Sequence, residues 1–325
     1  MLSPDCGTTP AKQPAPFNRL FACLLHTAHA VIIATMLKPL IKSMRPRQWA
    51  KNVFIFAPLV FDRQLLQPIP LLRTLAGAII LCLASSAVYL LNDLADLEYD
   101  RQHPRKRNRP LASGQLSVAQ AQIAVGALLA ISLPASFWLG LGFGLIALAY
   151  VAINVLYSYY LKHISILDVF IVAAGYVLRV GGGVALINVE RFSPWLYVCT
   201  TLLALFIVVG KRRAEMVAQN QGDPTQRRAF QGYSVAFLDQ LLVILSATTI
   251  VAYSLYTFFA ENLPANHLMM LSIPFVIYGI FRYLQLVHVE NKGGAPDELV
   301  LSDASLLLTL LLWGSFSVAV LYFSS

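Results

Sequence analysis

Runs of about twenty apolar residues follow one another with short gaps along this chain, and each such run is long enough to cross the hydrocarbon core of a bilayer as a helix. Nine of them run approximately over 53–70, 72–91, 121–139, 141–160, 166–187, 194–210, 238–260, 268–287 and 304–323. The first is the weakest, because Pro58, Asp62 and Arg63 interrupt it. The third and fourth are parted only by Gly-Leu-Gly-Phe-Gly at 140–144, which predicts a tight helical hairpin. That string follows no strand, so it is not a dinucleotide-binding fingerprint. Composition agrees: 58% of the residues are hydrophobic and 12% charged, where a soluble domain carries about a quarter charged. The expected fold is all-α, a polytopic bundle of nine transmembrane helices in one membrane domain.

The net charge is +8. In a soluble protein that excess would raise the question of nucleic acid. Here the basic residues sit in loops between apolar runs, which suits membrane lipids, phosphate substrates and topology, and no nucleic-acid partner is expected. One side of the membrane would carry Lys38, Lys42, Arg45, Arg47, Lys51, Arg101, Arg105, Lys106, Arg107, Arg109, Lys162, Lys211, Arg212, Arg213, Arg227, Arg228 and Lys292; the other gets Arg63, Arg73 and Arg191. The positive-inside rule makes the rich side cytoplasmic, with the amino terminus inside and the carboxyl terminus outside. The four cysteines, Cys6, Cys23, Cys82 and Cys199, are scattered without metal or disulfide spacing.

The chain is expected to divide into an extension, 1–35, and a catalytic domain, 36–325. Residues 1–16 read as disordered. Leu20 to Leu37 is a short apolar stretch carrying His26 and His29, readable as a signal segment, an interfacial helix or an extra span. The alternative is that Met36 or Met44 is the natural start, since Met36-Leu-Lys-Pro-Leu-Ile-Lys reads as a bacterial opening.

Ionisable groups at membrane depth are costly, so each is a candidate for function. Asn92, Asp93, Asp96 and Asp100 stand at the cytoplasmic end of the second run, in steps of three and four that put them on one helical face. Three carboxylates so close would repel one another without a cation among them. Oxygen ligands without His or Cys point to Mg²⁺, which takes part of its shell from substrate phosphates. A merely solvated acidic helix end would oppose the macrodipole. His103-Pro-Arg105-Lys106-Arg-Asn-Arg109-Pro-Leu-Ala-Ser-Gly114 follows at once, and its cations suit phosphate oxygens.

Other charged or polar groups repeat the theme. Tyr157 and Lys162 close the fourth run, and Asp168 opens the fifth. Arg179 lies eleven residues further, about 16 Å away along a helix, so it must face a polar cavity or a carboxylate such as Asp93 or Asp96. Gly181-Gly182-Gly183 would loosen that helix or pack it tightly. Lys211, Arg212, Arg213 and Glu215 end the sixth run, and Lys51 closes Arg45-Pro-Arg-Gln-Trp-Ala-Lys51-Asn52 at the entrance to the first, a run suited to anchoring or to phosphate.

Asn92-Asp93-x-x-Asp96-x-x-x-Asp100 followed by His-Pro-x-Lys-x-x-Arg-Pro-x-Ala-Ser-Gly resembles the first motif of the UbiA-type superfamily of intramembrane prenyltransferases, over essentially everything after Met36. That resemblance implies nine helices around a central cavity open to the cytoplasmic side. The second motif departs from the usual aspartate-rich pattern and reads Gly-Lys-Arg-Arg-Ala-Glu. With Arg45-Pro-Arg-Gln-Trp-x-Lys-Asn, Tyr157-Ser-x-x-Leu-Lys-His, and Asp168 with Arg179, it resembles the decaprenyl-phosphate phosphoribosyltransferase branch.

That branch implies an enzyme, a Mg²⁺-dependent pentosyltransferase of a bacterial inner membrane. It would move 5-phosphoribose from 5-phosphoribosyl 1-diphosphate to a polyprenyl (decaprenyl) phosphate, releasing diphosphate, for lipid-linked pentose and cell-wall synthesis. Catalysis is expected from Asp93, Asp96, Asp100 and Lys211, with metal held by Asn92, Asp93, Asp96 and Asp100. Substrate contacts are expected from Lys51, Asn92, Arg105, Lys106, Arg109, Tyr157, Lys162, Asp168, Arg179, Arg212 and Glu215. The rival readings are an aromatic prenyltransferase, which shares the fold and first motif, and a transporter, for which no inverted repeat is seen. Chain length of the lipid and self-association as a homo-oligomer stay open.

Overall fold

A computed structural model of the protein describes residues 37–104, 106–187, 189, 193–220, 228–290, 292–294, 299–300 and 302–324. The N-terminal extension, Arg105, Arg191 and Arg227 lie outside the described residues. Among the described residues, eight helices are long and apolar enough to cross a membrane. We number them α1 (Pro68–Ala95), α2 (Val118–Leu139), α3 (Leu141–Tyr159), α4 (Leu167–Leu186), α5 (Pro194–Asn220), α6 (Val235–Phe259), α7 (Ile273–His288) and α8 (Ala304–Phe323). The 3₁₀ turn Leu268–Ser272 leads into α7 and completes its span. Among the described residues there is no strand.

Local chemistry sets the helix ends. Pro68 opens α1, where its missing N–H costs nothing. Ser117 and Gln120 close a reciprocal capping box on α2, with bonds of 3.2 and 3.0 Å. Asp303 caps α8 by accepting from the Leu306 N–H at 2.9 Å. The hairpin expected at 140–144 is tighter than expected: Gly140 alone separates α2 from α3. The Arg73 Nη2 donates to the Leu139 carbonyl at 2.7 Å, satisfying an acceptor that the end of α2 leaves open.

Successive helices alternate in direction, so the bundle has two ends. At one, Asp96 meets Lys162, Asp168 meets Arg212, and Asp239 meets His288. At the other, the Asn262 Nδ2 donates to the Phe61 carbonyl at 3.2 Å and the Tyr322 hydroxyl reaches the 59–65 stretch. Helix faces turned outward carry large apolar side chains, with Trp138 87% and Phe323 81% exposed. A water-soluble fold could not leave such a belt uncovered, and the chain is a multi-pass membrane protein.

The expected first span, 53–70, needs correction. It is not one apolar helix. Residues Pro46–Phe56 form a 3₁₀ helix, Ala57–Phe61 a short α-helix, and the chain then turns through Arg63, whose φ is 57°. Prolines 46 and 58 and the Asp62–Arg63 pair explain the break. Among the described residues, eight long helices are therefore found where nine were expected. The 46–61 segment still runs from Arg45, beside Asp93, to Phe61 at the opposite end. Eleven 3₁₀ and five α residues reach roughly 30 Å, the thickness of the hydrocarbon core.

Gly183 makes that route passable. A Cβ there would lie 2.1 Å from the Ile55 carbonyl oxygen and 3.0 Å from the Pro58 ring, so only glycine lets the segment lie against α4. Of the two readings of the triple glycine, the tight packing is the one observed, inside an unbroken α4.

Candidate active site

Asn92 and Asp93 occupy the last turn of α1. Asp96 terminates that helix, and Asp100 lies in the short helix Leu97–Gln102 that continues it. The backbone bonds Asp96 N to Asn92 O (3.0 Å) and Asp100 N to Asp96 O (2.8 Å) bridge the junction. The helix bends at Asp96, so the four side chains fall into two groups rather than one row.

In the first group, Asp93 and Asp100, both buried, share one guanidinium. The Arg109 Nη1 donates to the Asp93 Oδ1 at 3.1 Å and to the Asp100 Oδ2 at 2.5 Å. Arg45 also pairs with Asp93, and its guanidinium lies over the Tyr89 ring, 5.3 Å from the centroid. Arg45 holds φ 54° and ψ 62° immediately before Pro46. A left-handed non-glycine residue in front of a proline is doubly disfavoured, and such outliers cluster at functional sites.

In the second group, the Asn92 Nδ2 donates to the Asp96 Oδ2 at 3.2 Å, and Lys162 pairs with the other Asp96 oxygen. The donors are all oxygens of carboxylate or amide, the chemistry a hard cation takes. The Asp100 Oδ1 is buried with no hydrogen-bond partner, an oxygen open to a cation, but Arg45, Arg109 and Lys162 hold the carboxylates as two groups, and among the described residues no three acids are gathered as a metal site.

The basic loop after Asp100 closes over this end. Gly114 turns it at φ 78°. Lys106 is half-buried with its Nζ 5.2 Å above the Tyr99 ring.

Four expected residues meet on the other side. The Arg212 Nε donates to the Asp168 Oδ2 at 2.6 Å, its Nη1 to the Glu215 Oε2 at 2.6 Å, and its Nη2 to the Tyr157 hydroxyl at 3.0 Å. Tyr233, not anticipated, donates to the Asp168 Oδ1 at 2.5 Å while its oxygen accepts from the Ile166 N–H at 2.6 Å. Burial and the adjacent carboxylate push the Tyr233 hydroxyl above its ordinary pKa, so it stays a donor. Lys211 is half-buried one turn before Glu215. Arg213 leaves the site: it binds Asp239 at 2.5 Å and the Val287 carbonyl at 2.9 Å.

Arg179 meets neither Asp93 nor Asp96. Its Nε donates to the Asn52 Oδ1 at 2.8 Å, its Nη1 to the Gly175 carbonyl at 2.6 Å, and its Nη2 to the Tyr150 hydroxyl at 3.0 Å. The Tyr150 and Tyr176 rings face it at 4.8 and 5.7 Å. Tyr89, Tyr150 and Tyr233 thus join the residues foreseen, and Arg45 and Asn52, expected only as the two ends of a run for anchoring or phosphate, take specific partners. Tyr89 had a legible signal, standing one helical turn before Asp93; Tyr150 had none that spacing could supply.

The chain is similar in sequence and in fold to known proteins. The UbiA prenyltransferase family matches residues 53–216. A protein named decaprenyl-phosphate phosphoribosyltransferase, from Mycolicibacterium smegmatis, is 32% identical over 88% of this chain and 93% of its own length. The protein of that name from Corynebacterium glutamicum is 31% identical over 87% and 86%. Among solved structures, a UbiA homolog from Archaeoglobus fulgidus bound to GPP and Mg²⁺ superposes with a TM-score of 0.68 at 20% identity, covering 87% of this chain and 99% of that one.

Proposed function

The chain belongs to the UbiA prenyltransferase family, and from that premise we propose that it transfers 5-phosphoribose from 5-phosphoribosyl 1-diphosphate to a polyprenyl phosphate. The observation that carries the reading is the likeness, at about 31% identity over most of the chain, to relatives named decaprenyl-phosphate phosphoribosyltransferase. The chemistry of the second motif supports it. Where an aromatic prenyltransferase of this superfamily usually carries a second aspartate-rich motif, this chain has Lys211 and Arg212, with Arg213 turned away to Asp239, and Arg212 pairs with both Asp168 and Glu215.

In this reading Arg109 and Arg45 orient Asp93 and Asp100, and Lys162 orients Asp96. Asn92, Asp93, Asp96 and Asp100 would hold Mg²⁺, which when bound supplies Lewis-acid neutralisation of the donor's diphosphate. Arg105, Lys106 and Arg109 offset the charge that grows on the leaving group as the anomeric C–O bond breaks. A lipid phosphate oxygen forms the new bond to the anomeric carbon from the opposite face, with inversion. A phosphate monoester is already anionic near neutral pH, so no strong base is required. Lys51, Lys211, Tyr157 and Glu215 are the remaining groups for phosphate and ribose contacts. The positive-inside bias puts this end in the cytoplasm of a bacterial cell, with the amino terminus on the same side.

Membranes given labelled phosphoribosyl diphosphate, Mg²⁺ and polyprenyl phosphate should yield a labelled lipid. Label that appears only from a prenyl diphosphate in the presence of an aromatic acceptor would replace this assignment.

A further inference from the structure

Three arginines are buried among the described residues: Arg179, Arg212 and Arg213. Arg212 faces Asp168 and Glu215, and Arg213 faces Asp239. Arg179 has only neutral partners: an amide oxygen, a backbone carbonyl and a phenol. The ionisable groups near it include Tyr150, Tyr89, Tyr176 and the Cys82 thiol, all neutral in their ordinary forms near pH 7. The two ring faces ease the burial of the cation without cancelling its charge. A guanidinium carries five N–H donors, and three are used, so one remains on each Nη. A buried charge without a counter-ion is costly to keep, and this one lies in the same helix bundle as a site for anions.

Its depth says which anion it serves. Asn52, which accepts from Arg179, donates to the Cys82 Sγ at 3.1 Å, and Cys82 precedes Asp93 by eleven residues of α1, about 16 Å. Tyr89 lies between the two levels, beneath the Arg45 guanidinium and within electrostatic range of Arg179. Half-buried Lys51 adds a second cation near Tyr150. A diphosphate at Asp93 sits too high to neutralise this floor.

We propose that Arg179 is the receptor for a phosphate monoester, bound deeper than the diphosphate and between the 3₁₀ segment, α1, α3 and α4. The site rests on the transfer reaction proposed above, which brings two monoesters: the 5-phosphate of the donor and the phosphate of the lipid acceptor. Both offer a pair of anionic oxygens on a tetrahedral phosphorus that a guanidinium fork can bind in bidentate fashion.

Asn52→Asp is the sharpest test, because it supplies the missing counter-ion in the same shape, 2.8 Å from the Nε. The full chain in detergent would be titrated calorimetrically with ribose 5-phosphate, with farnesyl phosphate, and with inorganic diphosphate plus Mg²⁺. In Asn52→Asp the affinity for one monoester should fall about tenfold or more, the loss of one charge-assisted contact, while the diphosphate is unaffected and the melting temperature does not drop. The monoester that loses affinity identifies the donor or the acceptor end. Arg179→Lys, which keeps the charge but not the fork, should weaken the same monoester less. If both variants bind both monoesters as the wild type does, Arg179 is only a packing group and the inference falls while the reaction stands. A wild type that binds neither monoester removes the reaction itself, and this site with it.

Discussion

At the carboxylate end of the bundle, side chains meet as charges. Arg109 bridges Asp93 and Asp100, Lys162 holds Asp96, and Arg212 joins Asp168 to Glu215. At the opposite end the buried polar groups are largely neutral. The Trp313 Nε1 donates to the Tyr253 hydroxyl at 2.8 Å, which shares a 2.6 Å bond with the Ser272 Oγ, and Phe61, Tyr256 and Trp313 pack around them. Both ends face the same requirement, that buried polar groups be paired, with exceptions such as the Asp100 Oδ1 at one and the Asn262 Oδ1 at the other. Neutral bonds meet it at small cost. Ion pairs meet it at a desolvation cost that often matches their attraction. Such pairs can, however, be exchanged for pairs with an anionic ligand. The neutral end is built for cohesion, and the charged end is where the proposed chemistry belongs.

Asp93→Ala and Asp96→Ala should break the chemical end outright. We expect turnover to fall by about a thousandfold or more, the scale for losing the principal electrostatic element of a site, with the protein still monodisperse in detergent. Activity retained in either variant would remove the metal assignment.

Gly183→Ala tests whether the two ends are mechanically joined. Its Cβ would collide with the Ile55 carbonyl, three residues from Asn52 in the 3₁₀ segment. Overpacking of this kind costs about 1–3 kcal/mol, so the melting temperature should drop and turnover should fall with it. A drop in stability alone would mean that the segment shifts without disturbing Asn52.

Tyr253→Phe should have the smallest effect. It removes one neutral acceptor and should cost about 1 kcal/mol, seen in thermal unfolding, with transfer activity unchanged. If activity falls in proportion, the division of labour between the ends is wrong.

Much of this was legible beforehand, for identifiable reasons. Eight spans follow from apolar length; helical spacing brought Asn92, Asp93, Asp96 and Asp100 to one end of the bundle, but the expected single face is broken at Asp96 into two groups. Tyr157, Asp168, Arg212 and Glu215 were each legible at charged helix ends on one side of the bundle, although not that Arg212 would be their hub. The first span was misjudged because hydropathy assumes α-helical rise, whereas the segment from Pro46 to Phe56 is 3₁₀. Arg179 was correctly read as needing a partner, yet sequence distance could not reveal Asn52, 127 residues away. Arg45 was ambiguous between lipid anchor and phosphate contact, because backbone strain leaves no trace in composition.

The 3₁₀ segment also has a consequence for the order in which the protein is assembled. It is short, broken by proline and charged at Arg47 and Lys51, so little in it would drive entry into the bilayer unaided. Its closest companion, α4, is not synthesised until Leu167 and beyond have left the ribosome. The earliest stretch of the bundle should therefore be among the last to dock, completed from behind by a helix made much later. A nascent chain ending at residue 165 should leave an Ile55→Cys thiol open to a water-soluble reagent, and the full-length chain should protect it.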